Sequence, residues 1–159
     1  VVMCLCKGIN QAAQPILSTN HGAGFYDRIH QIRSLSVKAS LIVCGIFVIL
    51  GLFVPDLFTN IFLTPSEEIL HYSSTAIRIY FIGFLMMGVN MVFICYFQAI
   101  TQASYSLIIC LLRGCILVIA FVYLLPLLFD SIGIWLAFPA AELVTMFLGI
   151  YFIEKSKQI

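Results

Sequence analysis

The chain has 159 residues, 62% of them hydrophobic and 9% charged, with a mean hydropathy of +1.10. A soluble domain carries roughly a quarter charged residues, so an ordinary water-soluble globule is excluded; at ~20 apolar residues per bilayer crossing, the apolar content suffices for about five crossings. The net charge of +1, from 8 basic and 7 acidic residues, supplies no basic field of the kind nucleic acid requires, and nucleic acid is not expected as a partner.

Residues 1–23 form the first expected span, apolar but carrying Lys7, Gln11, Gln14, Pro15, Ser18 and Asn20, and ending at HGAG, a helix-stop composition. The opening VVMCLCKGINQ has no initiator Met and no basic leader, unlike a secretory signal peptide. The expectation is a C-terminal part of a larger membrane protein. Residues 24–34 hold Asp27, Arg28, His30, Gln31 and Arg33 and read as a loop with a short amphipathic turn. The second span, 35–54, has no charge from Ala39 onward and stops at Pro55 and Asp56. Residues 57–63 are apolar but too short to cross, so they either lie at the interface or complete the second helix.

A helix start follows, with Thr64 as N-cap, Pro65 at the first helical position and Glu67 placed to bond back. The third span, 74–100, carries Arg78, Asn90 and Gln98, and TQAS at 101–104 separates it from the fourth, 105–129, which contains Arg113 and Pro126. Asp130 and Ser131 turn the chain into the fifth span, 132–153, with Glu142 at its centre, and EKSKQI closes the sequence as a basic tail. Every span is helix-length and none alternates like a barrel strand. The expected fold is therefore all-α: a single polytopic membrane bundle over residues 1–159.

Cytoplasmic loops are enriched in Lys and Arg. Residues 24–38 hold Arg28, Arg33 and Lys38 and the tail holds Lys155 and Lys157, whereas residues 55–73 hold neither type. This predicts a cytoplasmic first loop and a cytoplasmic C-terminus. The six cysteines form no CxxC pair and sit almost entirely in apolar runs, where a thiol packs as a small apolar group. The three histidines share no helical spacing with them, so no metal site is expected.

Strongly polar groups at membrane depth must face protein or water and are functional candidates by default. Gln11, Gln14 and Ser18 follow an i, i+3, i+7 pattern on one helical face. Pro15 beside them removes a backbone donor, so this face suits either a water-filled cavity or interhelical hydrogen bonding. Arg113 and Glu142 each lie about fifteen positions from a turn near Leu128, which at ~1.5 Å per residue puts them at similar depth and lets them pair. Either a structural ion pair or a proton-coupling role follows from that pairing. Asn90 is the remaining deep polar residue, set among Phe84, Met86, Met87 and Met91, a surface that suits adaptable apolar contacts.

GINQAAQPILSTNHGAGFYDRI at 8–29 resembles the eighth-helix segment of the multidrug and toxic compound extrusion (MATE) transporters, with FQA at 97–99, the Arg113 region and GIWLAFPAAE at 133–142 in support. The resemblance covers essentially the whole chain and implies helices eight to twelve of a fold with twelve helices in two lobes. This chain would then be a partial C-terminal lobe, its N-terminal lobe being the missing partner. The family's cation site lies on the absent helices or on a carboxylate of the tenth, where this sequence has Asn90.

The resemblance implies a plasma-membrane exporter that exchanges Na+ or H+ for amphipathic, often cationic substrates by alternating access, with no other cofactor. Gln11, Gln14, Ser18, Asn20 and Asn90 are the expected cavity-side residues, and Arg113 with Glu142 the internal pair. A lipid-linked oligosaccharide flippase, or a membrane interaction protein without transport, is the alternative. No HExxH, GxSxG or paired carboxylates suggest an enzyme.

Overall fold

Long apolar runs without strand alternation leave the backbone one way to satisfy its own hydrogen bonds in lipid, the helix. The computed structural model describes residues 1–62 and 67–156, and among them it contains helices and short turns only. In order these are α1 (Val2–Gly22), α2 (Tyr26–Phe53), the short α3 (Pro55–Phe62), α4 (Glu67–Ala99), α5 (Ala103–Leu111), α6 (Leu117–Leu124) and α7 (Pro126–Ser156). A π-helical segment, Leu112–Ile116, joins α5 to α6.

Four helices are long and apolar enough to cross a membrane: α2, the Tyr72–Ala99 part of α4, the combined Ala103–Leu124 rod, and α7. Helix α1 has 21 residues, ~31 Å at 1.5 Å per residue, but Lys7, Asn10, Gln11, Gln14 and Asn20 make it the polar helix of the set.

Helix α4 is the axis. Met87 through Phe93 are buried without interruption, as a helix enclosed on all sides requires, and α1, α2, α3, α5 and α7 all pack on it. Its partners meet it with small residues at helical spacing. On α7 the buried residues Gly133, Ala137, Ala141, Thr145, Gly149 and Ile153 recur every four positions; on α2, Ser36, Ser40, Cys44 and Val48 do the same. Lipid is as apolar as the helix surfaces, so association depends on close packing, and small side chains permit it. A Cβ on Gly88 of α4 would already stand 2.8 Å from Cys44 Sγ. Cys6 of α1 completes that contact, its sulfur 3.5 Å from that of Cys44.

The expected loop at 24–34 is a correction. Only Ala23, Gly24 and Phe25 separate α1 from α2, with Gly24 at φ +74 making the left-handed turn. No Pro or Gly interrupts residues 25–44, Asp27 sits in the first turn, and Arg, Gln and Lys are good helix formers. The extension is amphipathic rather than unstructured: Ile29 is buried, and Arg33 lies over the Tyr96 ring at 4.9 Å.

Residues 57–63, open between two arrangements on sequence alone, belong as far as Phe62 to the separate helix α3, which departs from α2 at Val54 (φ −133, ψ 52). It docks on α4 through Thr59 to Ser73 at 3.0 Å and Ser74 to Asp56 at 2.5 Å. The Thr64 and Pro65 helix start and Lys157 of the tail lie outside the described residues. The turn expected at Asp130 is present: Phe129 (φ −128, ψ 16) and Asp130 (φ 48, ψ −137) interrupt α7 near its start.

The hairpin between α6 and α7 is the tightest backbone approach in the bundle. A Cβ at Gly133 would collide with the Leu125 carbonyl and lie 2.5 Å from Pro126 N, atoms that cannot rotate away. Gly133→Ala is therefore expected to destabilise the protein by about 1–3 kcal/mol, whereas Gly8→Ala, with nothing within 4 Å of the new carbon, stabilises α1 or leaves it unchanged. Thermal unfolding of the two variants in detergent checks the contrast; equal melting temperatures would show the hairpin to be looser than described.

Candidate functional site

Three polar side chains from three elements meet inside the bundle. Glu142 of α7 has a side chain only 2% exposed, and its Oε1 accepts hydrogen bonds from Arg113 Nη2 at 2.6 Å and Nε at 3.1 Å. Its Oε2 accepts from Asn90 Nδ2 at 2.7 Å, and the same amide donates to the Glu142 backbone carbonyl at 2.8 Å. Asn90 thus ties α4 to α7 while Arg113 ties the fourth apolar rod to the same carboxylate.

Arg113 sits in the π-helical segment, where i→i+5 bonding breaks the regular face periodicity of the rod, as often happens at functional positions. An isolated charge at this depth would be expensive, and removing one member of a buried pair leaves the other uncompensated. The amide oxygen of Asn90 is buried with no hydrogen-bond partner among the described residues.

Beside this network lies an open cleft of about 330 Å³ between α1, α4 and the π-helical segment. Lys7, Gln11 and Gln14 line it from α1 at i, i+4, i+7, Gln98 from α4, and Arg113 from the third side. The opposite face of α1, with Val2, Cys6, Ala13 and Leu17, is buried against the bundle. The cleft and the network share one residue, Arg113, whose side chain is 12% exposed. The arrangement offers uncharged hydrogen-bonding amides, two fixed cations and an apolar floor from Met91 and Ile94.

Among the expected cavity-side residues, Gln11 and Gln14 line this cleft. Ser18 and Asn20 turn back on their own helix, Ser18 donating to the Pro15 carbonyl at 3.1 Å and Asn20 to the Ile16 carbonyl at 2.7 Å. Asn90 corrects the expectation most clearly: it is fully buried and belongs to the internal network, not to a cavity wall. Lys7 and Gln98 line the cleft although neither is among the expected site residues. Extending the Gln11 and Gln14 stripe one turn toward the N-terminus finds Lys7; nothing in the sequence alone brings Gln98 across from α4.

The sequence model of the MatE family matches residues 1–124. Among solved structures, the MATE multidrug transporter DinF-BH, determined in complex with a small molecule, matches with a TM-score of 0.86 and 29% sequence identity over 97% of this chain. That match covers 34% of the DinF-BH chain, so the present chain spans about a third of its length. A comparison with curated protein sequences finds no match.

The network makes a quantitative prediction. Arg113→Met, which strands the Glu142 carboxylate, is expected to cost about 3–5 kcal/mol. Adding Glu142→Gln to it should recover at least half of that loss, because the uncompensated charge goes. Unfolding of both variants and of Glu142→Gln alone closes the double-mutant cycle; additive effects would mean that the pair is not coupled.

Proposed function

The chain belongs to the MatE family, and on that premise we propose that it supplies one wall of the translocation pathway of a secondary-active exporter of amphipathic, often cationic small molecules. The observation that carries this reading is the cleft whose polar wall of Lys7, Gln11, Gln14 and Gln98 shares Arg113 with a buried carboxylate. A mixed surface of amides and adaptable apolar groups such as Met91 tolerates substrates of varied shape, with hydrogen bonds setting orientation. That the solved relative holds a small molecule is consistent with such a cavity.

Alternating access needs a second lobe to rock against the first. In this scheme the opposing lobe of the full transporter completes the open cleft, and Na+ or H+ exchange drives the cycle. The positive-inside rule supplies an orientation. Arg28, Arg33 and Lys155 lie at the end formed by the α1–α2 turn and the last turn of α7, while Asp56 and Asp130 lie at the other. On this reading the C-terminus is cytoplasmic and the membrane is the plasma membrane. Glu142 is then structural, neutralised by Arg113 throughout the cycle.

Cells expressing the full transporter should accumulate less of a lipophilic cationic dye than vector controls, and collapse of the Na+ or the H+ gradient should abolish the difference. Gln11→Ala with Gln14→Ala should lower efflux about tenfold without lowering expression, as the loss of two hydrogen bonds of ~0.5–1.5 kcal/mol implies. Glu142→Gln should retain gradient-dependent efflux. Dye accumulation indifferent to both gradients would overturn the exporter reading, and a well-folded Glu142→Gln protein that has lost coupling would reassign Glu142 to proton transfer.

A further inference from the structure

The basic end of the bundle holds a second cleft, of about 690 Å³, where the last turn of α1, the start of α2, the α4–α5 turn and the last turn of α7 come together. On α2, Tyr26, Ile29, His30 and Arg33 follow i, i+3, i+4, i+7, so they form one stripe. The first three line the cleft. The guanidinium of Arg33 lies 4.9 Å over the ring of Tyr96, which lines it from α4.

Three side-chain atoms around this space are buried with no hydrogen-bond partner among the described residues: His21 Nδ1, Arg33 Nη1 and Gln102 Oε1. They come from three different elements, α1, α2 and the α4–α5 turn. Arg33 can only donate, an imidazole nitrogen donates in the appropriate tautomer, and the Gln102 amide presents its NH2 group when turned over. Helix C-terminal carbonyls would ordinarily repel an anion here, but they are occupied. His21 O accepts from Gly24 N–H at 3.1 Å, Asn20 O from Phe25 N–H at 2.9 Å, and Phe97 O from Gln102 N–H at 2.9 Å. The unused hydrogen-bonding capacity of the cleft is thus weighted toward donors around a fixed positive charge.

We propose that this cleft binds a phosphate group, supplied by the headgroup of an anionic phospholipid, with Arg33 providing the charge and His21 and Gln102 the neutral hydrogen bonds. A phosphate has several acceptor oxygens in a tetrahedral array, which suits donors converging from three directions. The cleft exceeds the size of a bare phosphate, so the glycerol of a headgroup also fits. The rim favours a lipid source: Phe25 and Tyr26 are 53% and 62% exposed at the end of a spanning helix, where aromatic residues gather at the membrane interface, and Arg28 stacks on Phe25 at 5.2 Å.

Native mass spectrometry of the purified intact protein with phosphatidylglycerol or phosphatidylcholine tests this. Phosphatidylglycerol should bind about fivefold or more tightly than phosphatidylcholine, the worth of one well-placed cation near a headgroup. Arg33→Gln should bring the two lipids to near parity, and Arg33→Lys should retain most of the preference. Should Arg33→Gln fail to fold, Gln102→Leu in the α4–α5 turn serves in its place, with a loss of about threefold. Equal binding of the two lipids to the wild type, or an undiminished preference in a folded variant, overturns the proposal. Millimolar inorganic phosphate distinguishes the sources: failure to displace phosphatidylglycerol supports the lipid, and displacement overturns the lipid assignment in favour of a soluble phosphate compound.

Discussion

A guanidinium and a carboxylate cannot be held apart inside a membrane bundle, and the middle of this structure is arranged around that fact. Hydrocarbon offers neither charge a solvent, so Arg113 and Glu142 must find each other at one depth. They do so with two hydrogen bonds onto one oxygen, while Asn90 takes the other. A buried pair is often no more stable than a well-packed apolar substitute. Its effect here is registry: three helices can slide along one another only by breaking it.

Registry matters because the rod at Ala103–Leu124 has little else to hold it. It is the most apolar of the four crossings, yet only 6% of it is buried in the bundle. Apolar surface gives no drive to leave lipid for another apolar surface. What fixes the rod is the polar tie at Arg113 together with the close hairpin at Gly133. The π-helical segment falls on that tie, at Leu112–Ile116, so the local departure from α-helical geometry coincides with the residue that must reach across to α7.

Much of this is legible from the sequence because the membrane restricts the alternatives. Apolar runs bounded by Pro55, by TQAS and by Asp130 mark where the helices break, and equal distances from the hairpin put Arg113 level with Glu142. Residues 24–34 mislead because polarity is not absence of structure; a helix end outside the hydrocarbon keeps its backbone bonds whatever its side chains. Asn90 misleads in the opposite sense. A lone amide in an apolar helix signals a polar neighbour, but only the contact between α4 and α7 reveals that the neighbour is protein rather than a cavity. The stripes of small residues on α2 and α7 stand at four-residue spacing in the sequence, and they identify the faces that meet α4.

Arg113 is the one residue that belongs both to the core network and to the cleft wall, and its chemistry explains how it can serve both. A guanidinium carries five N–H donors in a rigid plane. Nε and Nη2 are bonded to Glu142 Oε1, and the plane still has donors to present at the cleft, where the side chain retains 12% of its exposure. A group bound in the cleft can therefore accept from Arg113 without displacing Glu142, and the pair need not open for the cleft to be occupied. A lysine could not divide itself in this way: its ammonium is a single point on a flexible stem, and turning it toward the cleft would draw it from the carboxylate. The internal charge balance and the polarity of the cleft wall are thus properties of one rigid group, and a change at position 113 alters both together.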